Sequence, residues 1–395
     1  MKTEKNENSK NQIKPDYYDS FHCIADKCSM TCCKEWKIAV DDLTYKKWKK
    51  LGMKPKVHKQ AGERVITLNE KMNCPYLDEN KLCKLVILYG EDILSDTCAT
   101  FPRQVHHFQD RTEYSLVSCC PAVVDIWQEN ENAAFQKLFM TESAHSDDLP
   151  YRIRLRMMEI LQDEGLSVTE GLLVLFFFAL DLLEAEEKNE LQLCMEKYGK
   201  DEWIMELRQA IEKAVFSRDE TENEGRELFL DVAENYRREG LYADLLEPLA
   251  KLAEAEEIEE AEQTNWDKTK SQENQMELGL LAEFSKQFHI YDSLFRNFLV
   301  AELFTNLLLP EADLESMVVK LQWIAMEYAV IREALYLQWK QEPERKLSYE
   351  TVRTYLVLIS RMTGYEEDDI YEYLENSFES MIWDWGYFAL IIGKE

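Results

Sequence analysis

Polar and apolar positions alternate differently in the two parts of this chain. From about residue 123 onward, apolar residues recur at three- and four-residue steps. The pattern runs through Tyr151–Leu161, Leu172–Leu183, Trp203–Phe216, Leu228–Tyr236, Met276–Leu309, Leu314–Trp339, Tyr349–Met362 and Ile370–Phe378. That period places the apolar residues on one face of a helix. Before residue 123 the pattern is broken. Only Arg64–Leu68 (RVITL) and Glu113–Ser118 (EYSLVS) read as strands, among turns and short helices. Residues 1–15 form a polar tail. The chain therefore reads as mainly α. A small cysteine-rich domain with short strands (16–122) precedes a larger, irregular helical domain (123–395). The polar stretch 254–274 is expected to be a flexible connection.

Composition sharpens this reading. Only 12 glycines occur in 395 residues, too few for a repeated βα architecture with glycine turns. The net charge of −30 is uneven, with a balance of +2 over residues 1–125 and −32 over the remainder. An acidic surface repels phosphates, so nucleic acid is not an expected partner. The longest apolar run, Gly171–Leu183, falls short of the roughly 20 residues a bilayer requires and contains Asp181. No apolar h-region opens the chain, so a soluble, cytoplasmic protein without a membrane span is expected. In that compartment thiols stay reduced, and clustered cysteines bind metal more readily than they form disulfides.

Nine of the ten cysteines lie in the cysteine-rich segment: Cys23, Cys28, Cys32, Cys33, Cys74, Cys83, Cys98, Cys119 and Cys120. All nine are candidate metal ligands, because thiolates are soft donors that select iron–sulfur clusters and zinc. Cys194 stands apart. Structural zinc sites usually present Cys-x2-Cys knuckles, and none occurs here. Irregular spacings, with Cys-Pro at Cys74-Pro75 and Cys120-Pro121, suit an iron–sulfur cluster of the 4Fe-4S kind, with zinc as the alternative. Nine thiols exceed one centre's need, so two sites or spectator cysteines are both open. A consecutive pair rarely gives two ligands to one metal.

The order Cys-x4-Cys-x3-Cys-Cys, Cys74-Pro75-Tyr76-Leu77, Cys83, then Asp96-Thr97-Cys98 and Phe101-Pro102-Arg103 resembles the cysteine-rich metal-chelating family that includes the bacterial flagellin lysine-N-methylases. Ser118-Cys119-Cys120-Pro121, Phe295–Phe304 (FRNFLVAELF) and Leu358-Ile359-Ser360-Arg361 are similar to further segments of those enzymes. The family shows Glu-His after Ser-Arg, whereas Met362-Thr363-Gly364-Tyr365 follows here. The resemblance implies a protein-lysine N-methyltransferase that uses S-adenosylmethionine, acts on flagellin or another lysine-bearing protein, and carries an iron–sulfur cluster.

The residues alone give methyl transfer little support. No glycine-rich Rossmann turn is present. The three-cysteine spacing of radical S-adenosylmethionine enzymes is also absent. No catalytic or cofactor-binding residue is assigned. Tyr291, Tyr328, Tyr336 and Tyr355 read as core, His106-His107 as a surface pair near the cysteines or else a metal ligand or base, and Arg103 as a partner for a cluster or a carboxylate. Two other functions compete: a non-catalytic protein stapled by its metal that binds partners through acidic helices, and a redox or electron-transfer iron–sulfur protein.

Overall fold

In the computed structural model, the described residues are 11–35, 38–60, 62–130, 135, 148–214, 218–262, 270–361 and 383–393. The helix expected at Ile370–Phe378 and the departure at 362–365 lie outside them. The cysteine-rich part carries five short strands: β1 (Asn11–Ile13), β2 (Val57–Gln60), β3 (Glu63–Ile66), β4 (Arg103–His107) and β5 (Arg111–Leu116). β2 and β3 form an antiparallel hairpin. β5 lies between β1, which it meets in parallel, and antiparallel β4. Among the strands are α1 (Asp42–Lys50), α2 (Lys84–Tyr89) and α3 (Asp96–Thr100), followed by α4 (Pro121–Asn130). Asp41 caps α1 by accepting from Thr44 N at 2.8 Å, satisfying a donor the first turn leaves open.

The helical part runs α5 (Leu149–Gln162), α6 (Val168–Glu187), α7 (Leu191–Tyr198), α8 (Asp201–Lys213), α9 (Arg218–Glu239) and α10 (Ala243–Glu262). It continues with α11 (Lys270–Phe288), α12 (Asp292–Asn306), α13 (Leu314–Gln341), α14 (Tyr349–Ile359) and α15 (Trp385–Ile392). The mainly α reading holds. Periodicity located most of these helices, and the structure adds one correction. The pattern over Met276–Leu309 is broken at a 3-10 turn, His289–Tyr291, between α11 and α12. The polar stretch expected as a flexible connection is helical through Glu262 and again from Lys270, and residues 263–269 lie outside the described ones.

α13 is the axis of this body and is buried on nearly every side. α6 starts on a capping box, with Ser167 and Glu170 satisfying each other's backbone amides. It packs against α13 and α15, where Phe176 and Phe388 stack at 4.0 Å. Buried arginines tie the helices together. Arg296 donates to the carbonyls of Leu161 (2.6 Å) and Asp163 (3.1 Å), neutralising the end of α5.

Hydrophobic burial divides the cysteine-rich part. Ile13, Tyr17, Phe21, Leu116 and Cys120 belong to the helical body's core, with Ile24 and Met30 packed against it. A separate small core consists of Ile38, Val40, Trp48, Ile66, Cys74, Leu85 and Ile93. Cys33, Cys83 and Cys98 pack around that second core.

Candidate metal centre and buried acid pair

Short local devices aim the thiols. Leu77 N bonds to Cys74 O at 3.0 Å, closing the Cys-Pro turn. Asp78 Oδ1 accepts from Asn80 N (2.9 Å) and Leu82 N (2.7 Å), folding the next loop back so that Leu77 pairs with Cys83. Cys83 then stands at the start of α2. The Ser95 hydroxyl caps α3 through Cys98 N at 3.3 Å. Cys74 N donates to Cys33 O at 2.7 Å, joining loops forty residues apart in sequence.

These loops bring Cys33, Cys74, Cys83 and Cys98 to the small core. The thiols of Cys32 and Cys74 both hydrogen-bond to the Cys33 sulfur, which lowers Cys33 to about 3. The donating thiols of Cys32 and Cys74 are pushed well above the ordinary thiol range, by those bonds first and by burial second. Burial pushes Cys98 up to about 11, and the negative charge of Cys33 and Cys83 adds to this. Cys83 is raised by burial and eased by the amides of Val86 and Leu85.

Cys23, Cys28 and Cys120 form a second neighbourhood against the helical body. Burial raises Cys120 to about 12, while the amides of Val123 and Ala122, at the start of α4, oppose that rise. Cys28 and Cys23 are close enough to Cys120 to raise it further. Burial also raises Cys28, against a backbone amide at Met30 and the charges of Arg361 and Arg353. Cys32 lies between the two neighbourhoods, within electrostatic reach of both Cys98 and Cys120. Cys119 faces the helical interior, near Arg361, Glu302 and Glu327. Cys194 is far off on α7, beside Asp181 and Lys197.

Among the described residues, no three side chains of His, Cys, Asp or Glu are set to hold one ion. Cys33, Cys74, Cys83 and Cys98 gather at the small core as soft sulfur donors, the chemistry that iron–sulfur clusters and zinc draw on. Peptide N–H groups also point at Cys28, Cys74, Cys83 and Cys120, as thiolate ligands require.

The other candidates have partners of their own. His106 lies near Glu113, Arg154 and the backbone of Thr305, and burial lowers it. His107 Nδ1 pairs with Thr112 Oγ1 at 3.3 Å. The Arg103 guanidinium lies over the Phe21 ring at 5.0 Å. Tyr291 and Tyr355 bond to Leu347 O (3.2 Å) and Gln338 Oε1 (2.9 Å) in the core.

Sequence reading missed a buried acid pair. Glu302 on α12 and Glu327 on α13 are buried together where Ser118, Cys119 and Arg361 meet the helical body. Asn306 Nδ2 donates to Glu302 Oε2 at 2.7 Å, and Ser118 also faces Glu302. Burial raises both carboxyls. Glu327, facing Ser360 and repelled by Glu302, is raised to about 8. Lys320 is the nearby cation that opposes both shifts. Asn306 and Lys320 also line a surface cavity of about 380 Å³ between the end of α12 and the start of α13. The available signal was a glutamate set among apolar neighbours in each of two helices, Glu302 in α12 and Glu327 in α13. The three helical and loop segments that resemble the methylases all converge here.

This helical body, joined to a cysteine-lined segment, defines a class of cysteine-rich, mainly helical proteins. The family described as FliB lysine N-methylase C-terminal domain matches residues 154–391, and the chain belongs to that family. It is 35% identical over 123 residues to the flagellar biosynthetic protein FliU of Salmonella muenchen, covering 28% of this chain and 72% of that protein. It is 32% identical over 148 residues to the lysine-N-methylases of Salmonella typhimurium and Salmonella choleraesuis, covering 32% of this chain. The match spans only 36% of each of those two enzymes. No solved structure matches the chain.

Proposed function

We propose that this protein is an S-adenosylmethionine-dependent lysine N-methyltransferase acting on flagellin, with an iron–sulfur cluster in its cysteine-rich segment. Family membership supports the reaction class. The observation that carries the reading further is the buried Glu302–Glu327 pair at the meeting point of the resembling segments, with Asn306, which bonds to Glu302, lining the cavity.

A lysine ammonium has no lone pair and must lose a proton before it can attack. In this reading the target side chain enters past Asn306 and Lys320, and the ionised fraction of Glu327, which grows as pH nears its raised value of about 8, accepts the ammonium proton. The neutral amine forms a bond to the methyl carbon as the carbon–sulfur bond breaks, and the sulfonium donor leaves as a neutral thioether. Cys33, Cys74, Cys83 and Cys98 would hold the cluster. When bound, it supplies a redox-active inorganic centre that also staples its loops.

The test incubates anaerobically purified protein with methyl-labelled S-adenosylmethionine and flagellin. Label on flagellin lysines is expected. Glu327→Gln should lower kcat by about 10²–10⁴-fold, the range of a lost general base, while the fold is kept. No label transfer by the cluster-loaded protein would overturn the reading.

A further inference from the structure

We propose that an exposed basic and apolar face on α1 and α2 docks the protein substrate, gripping a segment that carries acidic side chains beside apolar ones. That the docked protein is also the one methylated rests on the reading above; the face itself does not.

Helical spacing puts Leu43, Lys46, Lys47, Lys50 and Leu51 on one side of α1, while Thr44 and Trp48 are buried. On α2, Lys84, Ile87 and Leu88 share a side in the same way, with Leu85 buried. Leu43 is 78% exposed, Leu88 70% and Ile87 59%, so these aliphatic side chains stand in water. The two sides border one turn, residues 91–93. The Lys47 ammonium donates to Asp92 O, and Trp48 Nε1 donates to Ile93 O at 2.8 Å. Gly90 closes α2 by donating to Val86 O at 2.9 Å and leads into that turn. Trp48, Leu85 and Ile93 all belong to the small core, which holds both helices and the turn as one support.

Charge names the partner. Residues 43–60 hold seven lysines, all exposed, and no acidic residue, in a chain of net charge −30. The preceding carboxylate, Asp42, pairs with Arg64 instead. Such lysines attract an anionic partner, and the aliphatic ridges give it apolar area to bury. A phosphate backbone offers no apolar surface, and the acidic helical body would repel it. An anionic bilayer would meet Glu91 and Asp92, both exposed on the turn that the ridges border. A lysine-bearing protein avoids both conflicts, because it can set its own cations against those two carboxylates.

Binding of fluorescently labelled monomeric flagellin to the anaerobically purified full chain is measured by anisotropy. Methyl transfer to flagellin and to a short lysine peptide is followed in parallel. Leu43→Ser/Leu88→Ser and Lys46→Glu/Lys50→Glu should each weaken flagellin binding about 10-fold or more. KM for flagellin should rise by the same factor, with kcat and the rate on the peptide unchanged. Added salt should weaken wild-type binding. The four side chains are exposed, so the melting temperature of both variants should stay that of the wild type. Flagellin left unbound, or bound equally by wild type and both variants, would overturn the proposal. So would variants that keep flagellin binding but lose binding to phosphatidylglycerol vesicles or duplex DNA, or lose self-association in sedimentation. Flagellin binding that the variants weaken, without any methyl transfer by the wild type, would uphold the docking face and sink the methylase reading.

Discussion

Glu327 shows how burial sets chemistry at a single residue. The groups facing it are Glu302 on α12, Ser360 after α14, and Lys320 two turns earlier on its own helix. Its folded-state value of about 8 lies above the ordinary glutamate value of 4.5, so folding favours its protonated form. Its contribution to stability is fully present below about pH 4.5 and is lost as pH rises toward 8. Glutamine mimics the neutral acid. The melting temperature of the wild type should therefore fall more steeply between pH 5 and 8.5 than that of Glu327→Gln. Parallel curves would show that the carboxyl ionises without a folding penalty. Self-repulsion among the acidic surface residues affects both proteins alike and does not disguise the difference.

Between elements, buried charges join the sheet to the helices. Glu113 on β5 accepts from Arg111 Nε and from Arg154 Nη2, each at 2.5 Å. Arg154 on α5 also donates to the carbonyls of Phe304 (3.2 Å) and Leu307 (3.1 Å), at the end of α12. All three charged side chains are buried. Breaking such a network by one partner costs about 3–5 kcal/mol. Arg154→Met should lower the denaturation midpoint accordingly. Glu113→Leu in the same chain should recover part of that loss, because it removes a buried carboxylate that has lost one of its two guanidinium partners. If the double variant loses the sum of both single effects, the pair is not coupled.

For the whole molecule, the two cores differ in how far they can stand alone. The helical body has a large continuous core running from α4 to α15. The small core around Cys74 has seven buried hydrophobic residues, too few to support some sixty residues of loops unaided. Bound metal is expected to supply the difference. Removing metal with a chelator and reductant should make residues 34–100 the first site of limited proteolysis, with helical circular dichroism largely kept. Cleavage that starts in the helical body, or a cysteine-rich segment equally resistant without metal, would contradict this division. Among the described residues, no helix is long and apolar enough to cross a membrane.

The amino-acid sequence alone determined the mainly helical class, the positions of most long helices and the thiols as the candidate chemistry. Each of these depends on near neighbours in the chain: a 3.6-residue period, a capping serine, the composition of one segment. Tertiary structure decided how the cysteines are grouped, because Cys33 meets Cys74 and Cys120 meets Cys28 only when separate loops share a core. It also decided the acid pair. Glu302 and Glu327 lie on different helices, and each reads by itself as one more acidic residue in an acidic chain. Only packing strips both of water and sets them together beside Ser118, Cys119 and Arg361. Electrostatics between groups distant in sequence depends on their separation in space, which no linear pattern records.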